Sequence, residues 1–535
     1  MSAAESINLD DVDALRAALA DIAKTSDPSQ LIDIVVSLLL RLSNENKSLQ
    51  LRLQKAMRGL HGRKSEKLSE AQLALFCELI AAEEGEPAPA SSANREKVKR
   101  KAAPHGRGKF SEKLPRVDNV ISVPAEQRVC DICGAEKQCM GHDISERLDY
   151  VPASLRVIRD MREKLACKPC QGSVSIAPVA DKVIEGGMAA EGLLAHVLTS
   201  KYIDGLTLTR LNKIYARQGA RLAESTLADF VRDTTYVLAP VARHIEAKVL
   251  ASYFINQDDS GLRVLDRDHP KGIKRGHIWT FVGDARWAAY RYSPDWQGKH
   301  PVEFLKGYGG YIQGDGYAGI NSLFDGSEHA PVRVGCWMHL RRYFYDALQA
   351  GDARAQIAMV IVHDVYELER LAKENAFDAG QRLDMRQERS MPLVNKLREW
   401  IGNTGNLAPP KTDLGKAITY ATNQWPSLLV PFSDGQLEID NGEAERRLKV
   451  LATGRKNWLF AGSDRGAERA AIALTVLGTA VLQGVDPLAY VTDVLRKIAG
   501  GWPSNRIDDL MPATWAEQQG QQVQAQKPAI PRLID

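Results

Sequence analysis

The stretch from Tyr253 to Tyr317 opens on alternating apolar and polar positions and divides into short strands. Tyr253, Ile255, Leu262 and Val264 alternate with polar neighbours around an acidic step, the pattern of a half-buried strand carrying Asp258. HIWTFVGD (277–284) and AAYRYSP (288–294) predict two more strands, joined by turn residues into an antiparallel run. YIQGD ends a fourth strand at Asp315, where flanking glycines permit close approach of backbone and ligand, and PVRVGCW (331–337) reads as a fifth. Two carboxylates at neighbouring strand ends can share one hard cation, and Mg²⁺ takes oxygen ligands of this kind. Either Asp taken alone is also an ordinary cap or turn residue.

Elsewhere the period lengthens to that of helices. Residues 187–252 read as helical, and Leu206 to Asp233 gives an apolar-periodic helix, a break at Gly219 and a second helix from Glu224 or Ser225. That is helix-turn-helix spacing, with Arg210, Lys213, Arg217 and Arg221 supplying charge for DNA; a unit that merely holds the next domain in place has the same pattern. Residues 352–424 are helical with Met359, Val362, Tyr366 and Leu371 on the apolar stripe, and an acid-bearing helix opens at Asp440. Helices from Glu468 to Gln483 and from Pro487 to Ile498 close the pattern, and the Gln-rich EQQGQQVQAQ (517–526) reads as loose. Three antiparallel strands, two further strands with helices and a late acidic helix follow the order of an RNase H-like α/β core.

The amino-terminal part is built differently. A short amphipathic helix covers Asp10 to Ala23, and Val35, Leu39, Leu42, Asn46, Leu49, Leu53, Ala56 and Leu60 then keep the spacing of a coiled-coil seam. Asn46 falls at an a position, where a buried polar pair favours a parallel two-stranded register and hence a homodimer, with a higher oligomer also open; a helix packed on its own domain is the other reading. Residues 83–93 form a linker by composition, and 95–116 carry nine Lys or Arg against two Glu, either a basic arm for a polyphosphate or a solubilising tether.

Composition adds compartment and chemistry. The 535 residues exceed one ordinary core, and a net charge of +3 does not by itself argue for nucleic acid. No apolar run suits a bilayer and the first residues do not resemble a signal peptide, so a cytoplasmic protein is expected. Four of seven cysteines form two C-x-x-C knuckles, Cys130 with Cys133 and Cys167 with Cys170, which can supply four thiolates to a structural Zn²⁺. GCWMHLRRYF places His339, Arg341 and Arg342 one turn apart or less at a strand-to-helix junction, where they hold a phosphate or serve as surface charge. GRKNWLFAGS interleaves Arg455 and Lys456 with Trp458 and Phe460, which suits a DNA backbone and an unstacked base, or equally a core pair beneath a charged loop. Among the crowded acids Glu438, Asp440, Glu443 and Glu445, the spacing of Asp440 and Glu443 predicts a capping box, leaving Glu445 on another face.

INQDDSGLRVL, IQGDGYAG, GCWMHLRRYF, EIDNGEAERRLK and GRKNWLFAGS together resemble, in that order, the motifs of insertion-sequence-66 family transposases of the Asp-Asp-Glu class. The resemblance implies a triad of Asp258, Asp315 and Glu445 holding two catalytic Mg²⁺ ions, with a helical insertion accounting for the 130 residues between the last two acids. It departs from the family at Asp259, Ser260 and Gly442, where Glu, Thr and Asn are common. The implied protein is a bacterial, nucleoid-associated multidomain α+β enzyme that binds terminal repeats, cuts DNA and joins the 3′ ends to a target, assisted by small accessory proteins of the same element. The implied segments are 1–30 N-terminal helix, 31–82 coiled coil and basic helix, 83–117 linker, 118–185 zinc module, 186–250 helical DNA-binding region, 251–350 and 433–500 the two parts of the core, 351–432 the insertion, and 501–535 a tail. A zinc-dependent DNA-binding regulator, a domesticated transposase that no longer cuts, and a nuclease that only hydrolyses are the alternatives.

Overall fold

A computed structural model describes residues 155–161, 164–166, 174–176, 180–405 and 407–525. The coiled-coil seam, the linker, the basic arm and all four knuckle cysteines lie outside the described residues. Residues 81–159 form a unit of their own, of which 155–159 are described as a largely exposed stretch without regular structure. In the other unit, strands β1 (Lys164–Ala166) and β2 (Val174–Ile176) pair antiparallel on either side of the segment that contains Cys167 and Cys170.

Three helices precede the main sheet: α1 (Glu191–Tyr202), α2 (Leu208–Arg217) and α3 (Glu224–Leu250). The Thr207 hydroxyl caps α2, and Gly219 sits at φ +89° in the turn that follows, a conformation that favours glycine. Helix α2 buries Leu211 and Tyr215 while Arg210, Lys213 and Arg217 stay exposed, as does Arg221 beyond it. Helix α3 instead buries residues along its whole length, from Leu227 to Val249, so it packs as a core element of the sheet domain.

The sheet follows as β3 (Phe254–Leu265), β4 (Ile273–Gly283) and β5 (Trp287–Ser293), then helix α4 (Lys299–Leu305), β6 (Tyr311–Gln313) and β7 (Val332–Val334). Spatial order is β5-β4-β3-β6-β7, with the first three strands antiparallel and β6 and β7 parallel to β3. The expected five strands are therefore present in the expected order. One face packs Ile255, Trp279, Phe281 and Ala289 against Phe304 and Leu305 of α4.

Beyond β7 come α5 (Trp337–Gln349), α6 (Ala355–Glu374), α7 (Ala379–Met385), a π-turn at Arg386–Ser390, α8 (Met391–Gly405) and α9 (Asp413–Leu429). Helices α5, α6, α8 and α9 share a second apolar core around Trp337, Phe344, Val362, Leu397 and Leu428. Burying each such side chain contributes on the order of 1.5–3 kcal/mol. Helix α10 (Gly442–Trp458) then returns to the sheet, and α11 (Asp464–Leu482) closes the β5 edge. Thr475 and Thr479, one helical turn apart, accept from the backbone N–H groups of Tyr290 and Ala288 at 2.9 and 3.2 Å, which satisfies an edge that would otherwise pair with another chain.

Helix α12 (Pro487–Ala499) and α13 (Pro512–Ala525) complete the fold. The Gln-rich stretch expected to be loose is helical through Ala525. Trp515 explains it: its indole N–H donates to Asp493 at 2.8 Å and its ring meets Tyr490 edge-on at 5.7 Å, docking α13 onto α12. No helix among the described residues is long and apolar enough to cross a membrane.

Candidate active site

Register decides where the first two acids stand. Strands β3 and β6 run parallel with Asn256 opposite Gln313, so Asp258 and Asp315 each lie two residues beyond the same matched pair. The amide of Asn256 donates to the Gln313 side chain at 2.8 Å, and Gln313 in turn donates to the carbonyl of Glu438 at 2.8 Å and of Gly335 at 3.2 Å. Both amides are buried, so their partners are obligatory rather than incidental. This chain of amides ties β3 and the end of β6 to the loop that opens α10, and Asp258 stands inside β3 rather than at the strand end the sequence suggested.

Helix α10 is fastened to β3 at both ends. Asn441, fully buried at its start, donates to the Gln257 carbonyl at 2.8 Å. Near its finish Arg455 donates to the Ser260 hydroxyl at 2.8 Å and to the Gly261 carbonyl at 2.5 Å. Leu459 then turns the chain at φ +60°, and Ala461 pairs with Arg263 and Leu265 at 2.8 and 2.9 Å. Glu445, in the first turn of this strapped helix, is thereby fixed beside β3.

The crowded acids separate by partner. Glu438 pairs with Lys373 at 2.8 Å and Arg382 at 3.2 Å. The expected capping box does not form: Asp440 accepts from Gly442 N–H at 2.9 Å and Glu443 turns to Arg446 and Arg447, because Asn441 occupies the cap position with its side chain drawn into the sheet. Glu445 faces His339 at 3.8 Å and Arg342 at 3.9 Å, both on α5. Arg341 lies on the same helix, half-buried.

Electrostatics join the three acids. Burial pushes the Asp258 carboxyl up to about 7, and the negative charges of Asp315, Glu445 and Asp259 push in the same direction; the Asp259 N–H, donating at 2.8 Å, opposes them. As the side chains stand, no three His, Cys, Asp or Glu among the described residues are grouped tightly enough to hold a metal ion. The donor set nevertheless suits a hard cation, since three carboxylate-bearing residues repel one another in a partly dehydrated corner and a cation would relieve that repulsion.

The other sequence candidates are dispersed. Arg455 is engaged with β3, Lys456 is exposed, and Trp458 lies at the end of α10 with the Lys201 ammonium 5.7 Å from its ring. The basic residues of α2 occupy a separate exposed face. Sequence reading overlooked the buried amides of Asn256, Gln313 and Asn441; the first two each follow an isoleucine in a strand, and nothing local marks the third.

Comparison with known proteins agrees with this architecture. Residues 186–469 match the Transposase IS66 family, 127–171 the zinc-finger binding domain of transposase IS66, 475–513 the IS66 C-terminal element, and 48–118 the family described as Transposase C of IS166 homeodomain. The zinc-finger match contains both C-x-x-C pairs. Among relatives, the uncharacterized protein y4qI of Sinorhizobium fredii is 34% identical over 534 residues, covering 94% of this chain and 97% of its own. The uncharacterized protein y4hP of the same organism is 33% identical over 499 residues, 88% of each chain. With motifs, segment order and whole-length relatives in agreement, the chain belongs to the IS66 family of transposases.

Proposed function

We propose that the protein binds the terminal repeats of an insertion sequence, cuts a phosphodiester bond to expose a 3′-OH and joins that end to target DNA, using Asp258, Asp315 and Glu445 on an RNase H-like core. The observation that carries this reading is the parallel β3–β6 register, which brings Asp258, inside β3, level with Asp315, just past the end of β6, while the strapped helix α10 brings a third acid into the same field. Strand order with three antiparallel and two parallel members supports the core assignment.

Two bound Mg²⁺ ions would activate water and stabilise the departing oxygen at this corner. The chain's own part is to hold the acids in place. Asp258 must give up its proton to serve, and His339 and Arg342 stand where they can orient Glu445 or receive a phosphate oxygen. Arg210, Lys213, Arg217 and Arg221 present charge to the DNA backbone from α2 and the turn beyond it, and Lys456 does so from α10. The family's zinc-finger domain supports Zn²⁺ on Cys130, Cys133, Cys167 and Cys170 as the fold of an end-binding module. Pairing of protomers falls to the coiled coil, and residues 351–432 act as the insertion within the core.

The test incubates labelled element ends with Mg²⁺ and compares wild type with Asp258→Asn, Asp315→Asn and Glu445→Gln. Each variant should retain end binding and lose cleavage and joining by about a hundred- to a thousandfold, an effect of the size seen when a charge-stabilising group is removed. Wild-type binding without cleavage, accessory proteins included, favours the regulator; cleavage without joining favours the nuclease.

A further inference from the structure

Alternation along β3 sends Asp258 and Asp259 to opposite faces of the sheet, and the two acids keep different company. On its side, the Asp259 carboxylate lies 2.6 Å from His277 Nδ1 and accepts the Trp296 indole N–H at 3.0 Å. Trp296 stacks on His277 with ring centroids 5.7 Å apart and planes at 16°, and on Tyr317 at 5.0 Å and 24°. Tyr317 also meets the buried Trp279 at 5.8 Å, and its hydroxyl donates to the Trp296 carbonyl at 2.7 Å. The backbone N–H of the same Tyr317 donates to Asp315 at 2.9 Å. An aromatic group is thus attached at one end to the neighbour of Asp258 and at the other to Asp315 itself.

Trp296 remains 54% exposed. Its one polar group already has a partner inside the protein, so the surface it offers to solvent is apolar and aromatic. Two hydrogen bonds and two ring contacts hold it, so little freedom is lost when something stacks there. Asp259 and Asp315, which accept from Trp296 and from the Tyr317 backbone, put negative charge beside the shelf, which disfavours a phosphate and favours a neutral ring.

We propose that Trp296, backed by Tyr317 and His277, is a stacking shelf for one unpaired nucleobase of the DNA strand held at the acids. The inference rests on the transposase reading, because Asp315, which accepts the Tyr317 N–H, is the acid that would bring a nucleic acid beside this shelf. A base inside a duplex is already stacked on both faces, so the shelf requires the end to be locally melted, and the stacking gained offsets part of that unpairing.

The experiment uses the full-length protein and duplexes of the element terminus with 2-aminopurine at each of the last few positions in turn, in Ca²⁺ to hold the ends uncut. Anisotropy reports binding and 2-aminopurine emission reports stacking. At one position wild type and Trp296→Phe should quench the probe, whereas Trp296→Ala should bind the duplex and leave the probe several-fold brighter. In Mg²⁺, Trp296→Ala should cut intact ends about 5- to 150-fold more slowly than wild type. On ends made abasic at that position the two proteins should cut alike. Equal emission from wild type and Trp296→Ala at every position, or an equal slowing on intact and abasic ends, overturns the shelf while leaving the transposase reading standing. Failure of wild type to bind the duplex removes both.

Discussion

The acid corner and the helical segment 355–429 are held together by opposite means. The helices bury an apolar core in which Met359, Val362, Leu397 and Leu414 pack with interchangeable contacts, and one charged pair interrupts it. The corner is held by named polar partners: Asn256 to Gln313, Gln313 to Glu438, Asn441 to Gln257, Arg455 to Gly261. Apolar packing is non-directional and tolerates volume-conserving change, whereas a buried amide has one partner and fixes one geometry. Stability is therefore concentrated in the helices and precision in the corner.

The exception within the helical segment sharpens this contrast. Arg386, fully buried in the π-turn, binds both oxygens of Glu369 at 2.7 and 2.8 Å and the carbonyls of Pro431, Asp434 and Leu437 at 2.6, 2.9 and 2.9 Å. It fastens the helices to the loop that delivers α10. Arg386→Met should cost about 3–5 kcal/mol in urea unfolding, because Glu369 is left charged and buried without its partner. Arg386→Met with Glu369→Leu should recover part of that, and no recovery would break the assignment of the cost to the stranded charge.

Asn441→Ala tests the corner. It should lower stability by about 1–3 kcal/mol, the loss of a buried hydrogen bond, yet reduce end cleavage more than tenfold as α10 loosens from β3. A volume-conserving core change such as Leu397→Met should show the reverse, costing under about 1.5 kcal/mol with cleavage unaltered. Equal activity losses in the two variants would dissolve the distinction between the regions.

A pH-dependent effect follows from Asp258. Its carboxyl is raised in the folded protein from 3.8 to about 7, so between these values the folded state binds more protons than the unfolded. Without divalent metal, the melting temperature should fall as pH rises from about 4 to 7, and Asp258→Asn should flatten that window. Added Mg²⁺ should raise the melting temperature at pH 8 and do little at pH 5, where protons compete for the same oxygens. The smallest stability effect belongs to the α2 face: Lys213→Glu should leave unfolding unchanged within about 0.5 kcal/mol and lower the salt slope of end binding by about 1.

Much of the fold was legible because period is a local property. Alternation marked β3, turn residues bounded β4 and β5, the 3.6-residue stripe marked α6, and Gly219 marked the turn between α2 and α3. The capping box at Asp440 and the loose Gln-rich tail were misread for one reason. Each was decided by a distant partner, β3 for Asn441 and Asp493 for Trp515, to which local spacing is blind.

Sequence alone determined the family, the order of strands and helices, and which acids were candidates, since motifs and hydrophobic period are written along the chain. Tertiary structure alone decided that Asp258 and Asp315 share a register, that Glu438 and Glu443 are consumed by cations while Glu445 faces the corner, and that Arg455 braces β3. The physical reason is range. Propensity and period act over a few residues, whereas a buried polar group takes its partner from whatever the fold brings beside it.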